Sequence, residues 1–254
     1  MIRENLLDTH CHVGAYEDPV AVLRAADEAG VAVVAVTEDL DEYRRLKMRL
    51  GRRDHVFVAI GLHPLRAATF GPNDMARFMR LLPDAEWIGE VGLDYSRAGA
   101  ATAKAQQRVF DIVLAEAQRG HKPLTVHSRG AEKDVIRKLT EAKARAVLHW
   151  YSGPMYLIEE AIRGGLYFSV NIAMTRSRKF APLMRAVPHE RVLLETDGPY
   201  AKDRGKVAQP HQLDSVAAAL AQEWGTALPT AKQILVANQS RFLAPHQSPA
   251  AFSW

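Results

Sequence analysis

Cysteine is almost absent from this chain. Cys11 is the only one in 254 residues. No intramolecular disulfide can form, and a lone thiol fits a reducing compartment. No apolar run approaches the roughly 18 residues that span a bilayer. No basic-then-apolar leader precedes the first strand-like run, and no linker, low-complexity segment or short repeat interrupts the sequence. These absences argue against membrane-spanning and disulfide-stapled classes, and a soluble, cytoplasmic protein with no membrane partner is expected. A G-x-G-x-x-G turn is also missing after the first strand-like run. That removes the phosphate-binding fingerprint expected of a doubly wound open sheet.

What is present is globular. Hydrophobic residues make up 48% of the chain, and the net charge of +4 is compatible with a polyanionic substrate. The length suits one large α/β domain or two small ones. Strand-like runs at 5–11, 31–37, 56–61, 86–91, 123–127, 145–150, 166–171 and 191–196 alternate with helical patterns. Helices are expected near 18–29, 40–50, 73–82, 102–119, 131–142, 155–163, 178–186, 212–223 and 229–241. Eight strands each followed by a helix predict a TIM (β/α)8-type barrel formed by one domain over 1–254.

Several of these runs close on a histidine or a carboxylate. His10 and His12 end the first; two residues apart on a strand, they share one face, with Cys11 on the other. Glu90 lies within the apolar fourth run, where a buried carboxylate needs a cation or several donors. His127, His149 and Asp197 close the fifth, sixth and eighth, and Glu195 points the same way from deeper in the eighth. Each alone is an ordinary core residue. Together, they predict one site at the C-terminal face of the strands. Four histidines and two carboxylates exceed one tetrahedral ion and suit two divalent ions, with Glu90 able to bridge them. Imidazole-rich ligation favours Zn, Mn, Co or Ni, and Mg remains open where a phosphate completes the shell. Such ions make water nucleophilic at neutral pH, which is the chemistry of hydrolysis. Asp197 and Glu90 are the expected catalytic carboxylates.

The ordered motifs Asp8-Thr9-His10-Cys11-His12, Gly61-Leu62-His63-Pro64, Gly89-Glu90-Val91-Gly92-Leu93-Asp94-Tyr95, His127-Ser128-Arg129, His149-Trp150-Tyr151-Ser152-Gly153 and Glu195-Thr196-Asp197-Gly198-Pro199 resemble the TatD family of metal-dependent hydrolases. The resemblance runs through nearly the whole chain. It implies a TIM barrel with metal at its C-terminal face and DNase activity, usually 3′→5′ exonuclease, with DNA as substrate. It also implies ligand roles for His10, His12, Glu90, His127, His149 and Asp197. In some members the histidine matching His63 contacts substrate phosphate or a further metal; His63, Arg129 and Asp94 are the expected substrate contacts. Gly130 departs from the pattern by replacing the family's usual Asp, and Trp150-Tyr151 replaces a small residue followed by Phe. The chain is also similar to a compact branch, the QatD-like proteins of bacterial anti-phage systems, which implies defence-system partner proteins. Two alternatives share the ligand set: an amidohydrolase-like esterase, lactonase or deacylase, and a non-catalytic barrel subunit of a defence complex.

Two basic groups, Arg176-Arg178-Lys179 and Lys202-Arg204-Lys206, follow the seventh and eighth strands and are expected on the catalytic face. The larger run from Arg44 to Arg53 lies late in the second helix and should reach the opposite rim. Arg129, two residues past His127, can grip a phosphate in bidentate fashion or orient a carboxylate such as Glu90. His55, His121, His189, His211 and His246 fall in expected loops or helix ends and need no functional role.

Overall fold

The computed structural model describes residues 5–244; His246 lies outside them. Eight parallel strands form the centre: β1 Leu6–Cys11, β2 Val31–Ala35, β3 Val56–Val58, β4 Ile88–Gly92, β5 Leu124–His127, β6 Ala146–Leu148, β7 Tyr167–Val170 and β8 Val192–Leu194. Their order is β3-β2-β1-β8-β7-β6-β5-β4. The outermost two meet through a parallel bridge, Ile60 to Ile88, and the Ile60 and Gly89 amides donate to Trp87 and Ile60 carbonyls at 3.0 Å. The expected barrel is therefore the observed fold. Its strands are short and mostly buried on both faces, which is why they read as continuous apolar runs.

Helices α1 Pro19–Glu28, α2 Leu40–Leu50, α3 Pro72–Leu81, α4 Ala103–Gly120, α5 Glu132–Glu141, α6 Ile158–Arg163, α7 Ile172–Thr175, α8 Phe180–Ala186, α9 Leu213–Glu223 and α10 Leu228–Leu243 surround the sheet. Local chemistry fixes their starts. Asp18 caps α1 by accepting from the Val20 and Ala21 amides at 3.0 and 3.1 Å, with Pro19 in the first turn. Asp39 caps α2 in the same way, accepting from Asp41 and Glu42 at 2.8 Å. Two features were not foreseen from the sequence: the single turn α7, and an antiparallel hairpin, β9 Lys202–Asp203 with β10 Lys206–Val207, which carries the second basic group.

Leu7, Val34, Ala59, Val147, Tyr167 and Leu193 meet in one buried cluster that Trp87 and Phe242 join. Residues from strands all round the ring can meet only inside it. Phe242 of α10 packs against Trp87 and Tyr167, with ring centroids 5.6 and 5.1 Å apart, so the C-terminal helix plugs the barrel floor. Leu7 and His10 have opposite parity along β1 and yet both point inward. The pairing of β1 with β2 shifts between Asp8 and Cys11, three steps on one strand against two on the other. This bulge re-aims the end of β1 so that the imidazoles join the interior. The Asp8 carboxylate fastens it, accepting from the His10 amide at 3.1 Å, the Thr196 amide at 2.9 Å and the Thr196 hydroxyl.

At the rim, the tip of β2 reaches β4 directly. The Thr37 amide donates to the Gly89 carbonyl at 3.1 Å, and the Glu90 amide to the Thr37 carbonyl at 3.0 Å. Gly61 permits this approach: a Cβ there would lie 1.5 Å from the Thr37 oxygen and 2.9 Å from the Glu90 nitrogen. Gly61→Ala should therefore destabilise the fold by about 3 kcal/mol or more in urea denaturation. Gly51→Ala, at φ +61 and ψ −159 with open space around it, should cost less, about 1–3 kcal/mol from backbone strain alone. Equal costs for the two would contradict this account of the rim.

Candidate metal centre

Glu90 occupies the centre of the rim with only 2% of its surface exposed. Five histidines surround it. Oε2 lies 3.2 Å from His12 Nε2 and 3.6 Å from His10 Nε2. Oε1 lies 2.8 Å from His127 Nδ1, 3.5 Å from His149 Nε2 and 3.5 Å from His63 Nε2. The Asp197 Oδ1 atom stands 3.7 and 3.8 Å from His12 and His10, on the Oε2 side. Three sets of donor atoms are close enough to hold an ion: His10, His12 and Asp197; His10, Glu90 and His149; His63, Glu90 and His127. The six residues expected to converge do so, and His63 joins them.

β8 ends at Leu194, so Glu195, Thr196 and Asp197 lie on the loop beyond it, and His149 is the first residue past β6. Asp197 and Trp150 both hold left-handed backbone, at φ +48 and +40. Strain of this kind persists only where the surroundings fix it, and it concentrates at functional positions. The Asp197 amide donates to the His10 carbonyl at 2.8 Å, and the Trp150 amide to Glu195 Oε1 at 3.2 Å.

A layer of polar groups beneath the cluster orients the imidazoles. Thr125 Oγ1 sits 2.7 Å from His10 Nδ1, turning Nε2 toward the centre. Glu195 Oε2 meets His149 Nδ1 at 3.3 Å and is itself held by Ser169 at 2.5 Å, while Asn171 donates to Oε1 at 2.8 Å. Asp94 Oδ2 meets His127 Nε2 at 2.8 Å. Asp94 is 2% exposed and grips a histidine; it does not line the cavity above. Sequence reading missed Thr125, Ser169 and Asn171. Each is a polar side chain on or just past a strand near a ligand histidine, and that position was the available signal. His63 differs from the rest. Its Nδ1 accepts from the Leu65 amide at 3.2 Å, so its neutral ring carries the proton on Nε2 and presents a donor inward.

The electrostatics follow from burial and from these partners. Burial works to raise the Glu90 pKa, but the surrounding histidines outweigh it and hold the carboxylate well below its usual range. Burial lowers His10 to about 3, so that ring is neutral. Burial also opposes charge on His127 and His149, but Asp94 and Glu90 raise the first, and Glu195 and Glu90 raise the second well above normal. Burial lifts Asp197 to about 7 against the pull of His149.

The cluster forms the base of a cavity of about 520 Å³ whose walls include Glu38, Ser128, Arg129, Trp150, Ser152 and Tyr200. Arg129 is exposed and has no ion-pair partner among the described residues. Of the basic groups, Lys179 donates to the Ser152 carbonyl at 3.2 Å, on the cavity wall, and Arg176 pairs with Asp203 at 3.1 Å. Arg52 and Arg53 line a separate hollow beside the starts of β2 and β3, at the opposite rim.

A parallel barrel with imidazoles and carboxylates gathered at the C-terminal ends of its strands is the architecture of a metal-dependent hydrolase. This chain belongs to the TatD family: the family model for TatD-related DNases matches residues 7–244. It is 34% identical over 218 residues to human deoxyribonuclease TATDN3, covering 76% of this chain and 78% of that protein. It is 30% identical over 255 residues to YcfH of Escherichia coli K12, described as an uncharacterized metal-dependent hydrolase, covering 93% and 94%. The crystal structure of YJJV, a TatD homologue from E. coli K12, superposes with a TM-score of 0.84 at 25% identity, over 95% of this chain and 98% of that one.

Histidine and carboxylate ligands must shed their protons to bind a cation. In the metal-free protein His12, His127 and His149 hold protons above their usual range, and Asp197 titrates at about 7. Metal affinity should therefore climb as the pH rises through the range around about 7, where Asp197 titrates, and binding should release protons there. Calorimetry in buffers of different ionisation enthalpy measures this, and an affinity that stays flat across that range would contradict it.

Proposed function

We propose that the chain is a metal-dependent deoxyribonuclease whose divalent ions, two in number, would be held by Glu90 and the residues around it. The observation that supports two ions is the division of that carboxylate: Oε2 faces His10, His12 and Asp197, and Oε1 faces His127, His149 and His63. In this reading His10, His12 and Asp197 would hold one ion and His127 and His149 the other, and His63 would stay outside the ligand set because its inward nitrogen carries a proton. Imidazole-rich donors suit Zn, Mn, Co or Ni, and Mg is accommodated where substrate phosphate completes the shell. When bound, such ions supply Lewis-acid stabilisation of the charge that develops on a phosphodiester.

The chain's own residues do the rest. Asp197, which opens onto the cavity, takes the proton from the attacking water. His63 Nε2–H and the unpaired Arg129 supply donors to the phosphate oxygens. Thr125, Asp94 and Glu195 keep the imidazoles in register. The name of the human relative supports DNA as the substrate, and the exposed cations after β7 and β8 favour a polyanion. The family resemblance adds 3′→5′ exonuclease action, and the QatD-like resemblance adds defence-system partner proteins.

End-labelled single- and double-stranded DNA, assayed across a metal series, tests the proposal. Cleavage should need a divalent ion, stop in EDTA, and fall at least about 100-fold in Asp197→Asn with the circular dichroism unchanged. An unaltered rate in that variant would remove Asp197 from its role. Hydrolysis of nitrophenyl esters without DNA cleavage would move the reading to a small-ester hydrolase.

A further inference from the structure

The residues lining the cavity are almost all polar or ionisable. Trp150 and Tyr200 alone present large carbon surfaces, and neither ligation nor core packing accounts for both. Each stands beside one half of the divided site. Trp150 directly follows His149, on the Oε1 side. The Tyr200 ring meets His12, on the Oε2 side, edge-on at 4.8 Å and 75°. Trp150 is half-buried, with one part of its surface packed against the main core and another facing the cavity. Its left-handed backbone, fixed by the Glu195 hydrogen bond, turns the indole out while the next residue, Tyr151, goes in to pack against Phe168 at 5.3 Å. Tyr200 is 56% exposed, an unusual state for a tyrosine at the mouth of a buried charge cluster.

We propose that Trp150 and Tyr200 are base-stacking residues that seat the nucleobases on either side of the phosphate at the metal centre. The proposal rests on the deoxyribonuclease reading and adds that the site grips bases as well as phosphates. An aromatic face held by packing takes a base at little entropic cost and without regard to its identity. Cations stand where the strand would leave: Arg129 on the cavity wall, and Lys179 bound to Ser152 on that wall. Met155 and Tyr156, both exposed, lie further along the same β6–α6 connection that holds Trp150. An aromatic platform flanked by cations is the arrangement that holds unpaired strands.

The test compares two single-stranded oligonucleotides, one with normal bases and one with tetrahydrofuran spacers for the two nucleotides flanking the cleaved bond. Wild type should lose about tenfold in kcat/KM for each missing base, so about 100-fold on the spacer substrate. Trp150→Ala should lose about tenfold on the normal substrate, mainly through KM, and almost nothing further on the spacer. Trp150→Phe should keep most of the activity. Tyr200→Ala should repeat the pattern for the base on its side. Equal rates on the two substrates, or equal losses in Trp150→Ala on both, would overturn stacking while leaving the deoxyribonuclease reading intact. No cleavage of either substrate by wild type with any divalent ion would overturn both.

Discussion

One buried carboxylate sets the terms for the rest of the rim. Glu90 sits where the two outer strands meet, almost fully buried at the base of the cavity, and its charge is sustained by the imidazoles around it. Burying an anion without such partners would cost several kcal/mol. The histidines in turn need their outer nitrogens occupied, which explains why Thr125, Asp94 and Glu195 lie beneath them. Ser169 and Asn171 then hold Glu195. The polar network thus grows outward from Glu90 in layers, each satisfying the hydrogen-bonding demands of the one before it.

The barrel keeps this network apart from its own stability. Phe242 and Trp87 fill the floor with apolar contacts contributed by inward residues of the same strands whose C-terminal ends carry the site. The lower half of each strand is ordinary hydrophobic core, and the upper half is ligand and support. Parallel strands make this division natural, since all their C-terminal ends emerge on one side. The bulge in β1 and two of the left-handed residues, Trp150 and Asp197, fall on that side too.

Much of this was legible in the sequence, because strand ends announce themselves when an apolar run stops at a histidine or carboxylate. His10, His12, Glu90, His127, His149 and Asp197 were all found that way, and the structure gathers them. Side-chain spacing could not reveal the division of Glu90 between two sets of histidines, which depends on ring closure between Ile60 and Ile88. The place of Asp94 was also hidden: its motif suggested a substrate contact, but the turn after β4 folds its carboxylate back onto His127. The β9–β10 hairpin escaped notice because two-residue strands carry no periodicity, and α7 because a single turn carries no amphipathic repeat. β2, β3, β6, β7 and β8 read too long at their C-terminal ends, by one to three residues, since the apolar pattern continues after the ladder stops.

The bulge in β1 has a consequence for how this chain can change over evolutionary time. Leu7 and His10 both face the barrel axis only because one extra residue is accommodated between Asp8 and Cys11. Had the extra residue not been absorbed as a bulge, plain alternation would turn both imidazoles into the helix-facing layer, even with every ligand still encoded. The contacts that fasten the bulge, from the Thr196 amide and hydroxyl to Asp8, are therefore as necessary to the centre as the ligands themselves. A replacement at Asp8 or Thr196 is judged by the whole centre at once.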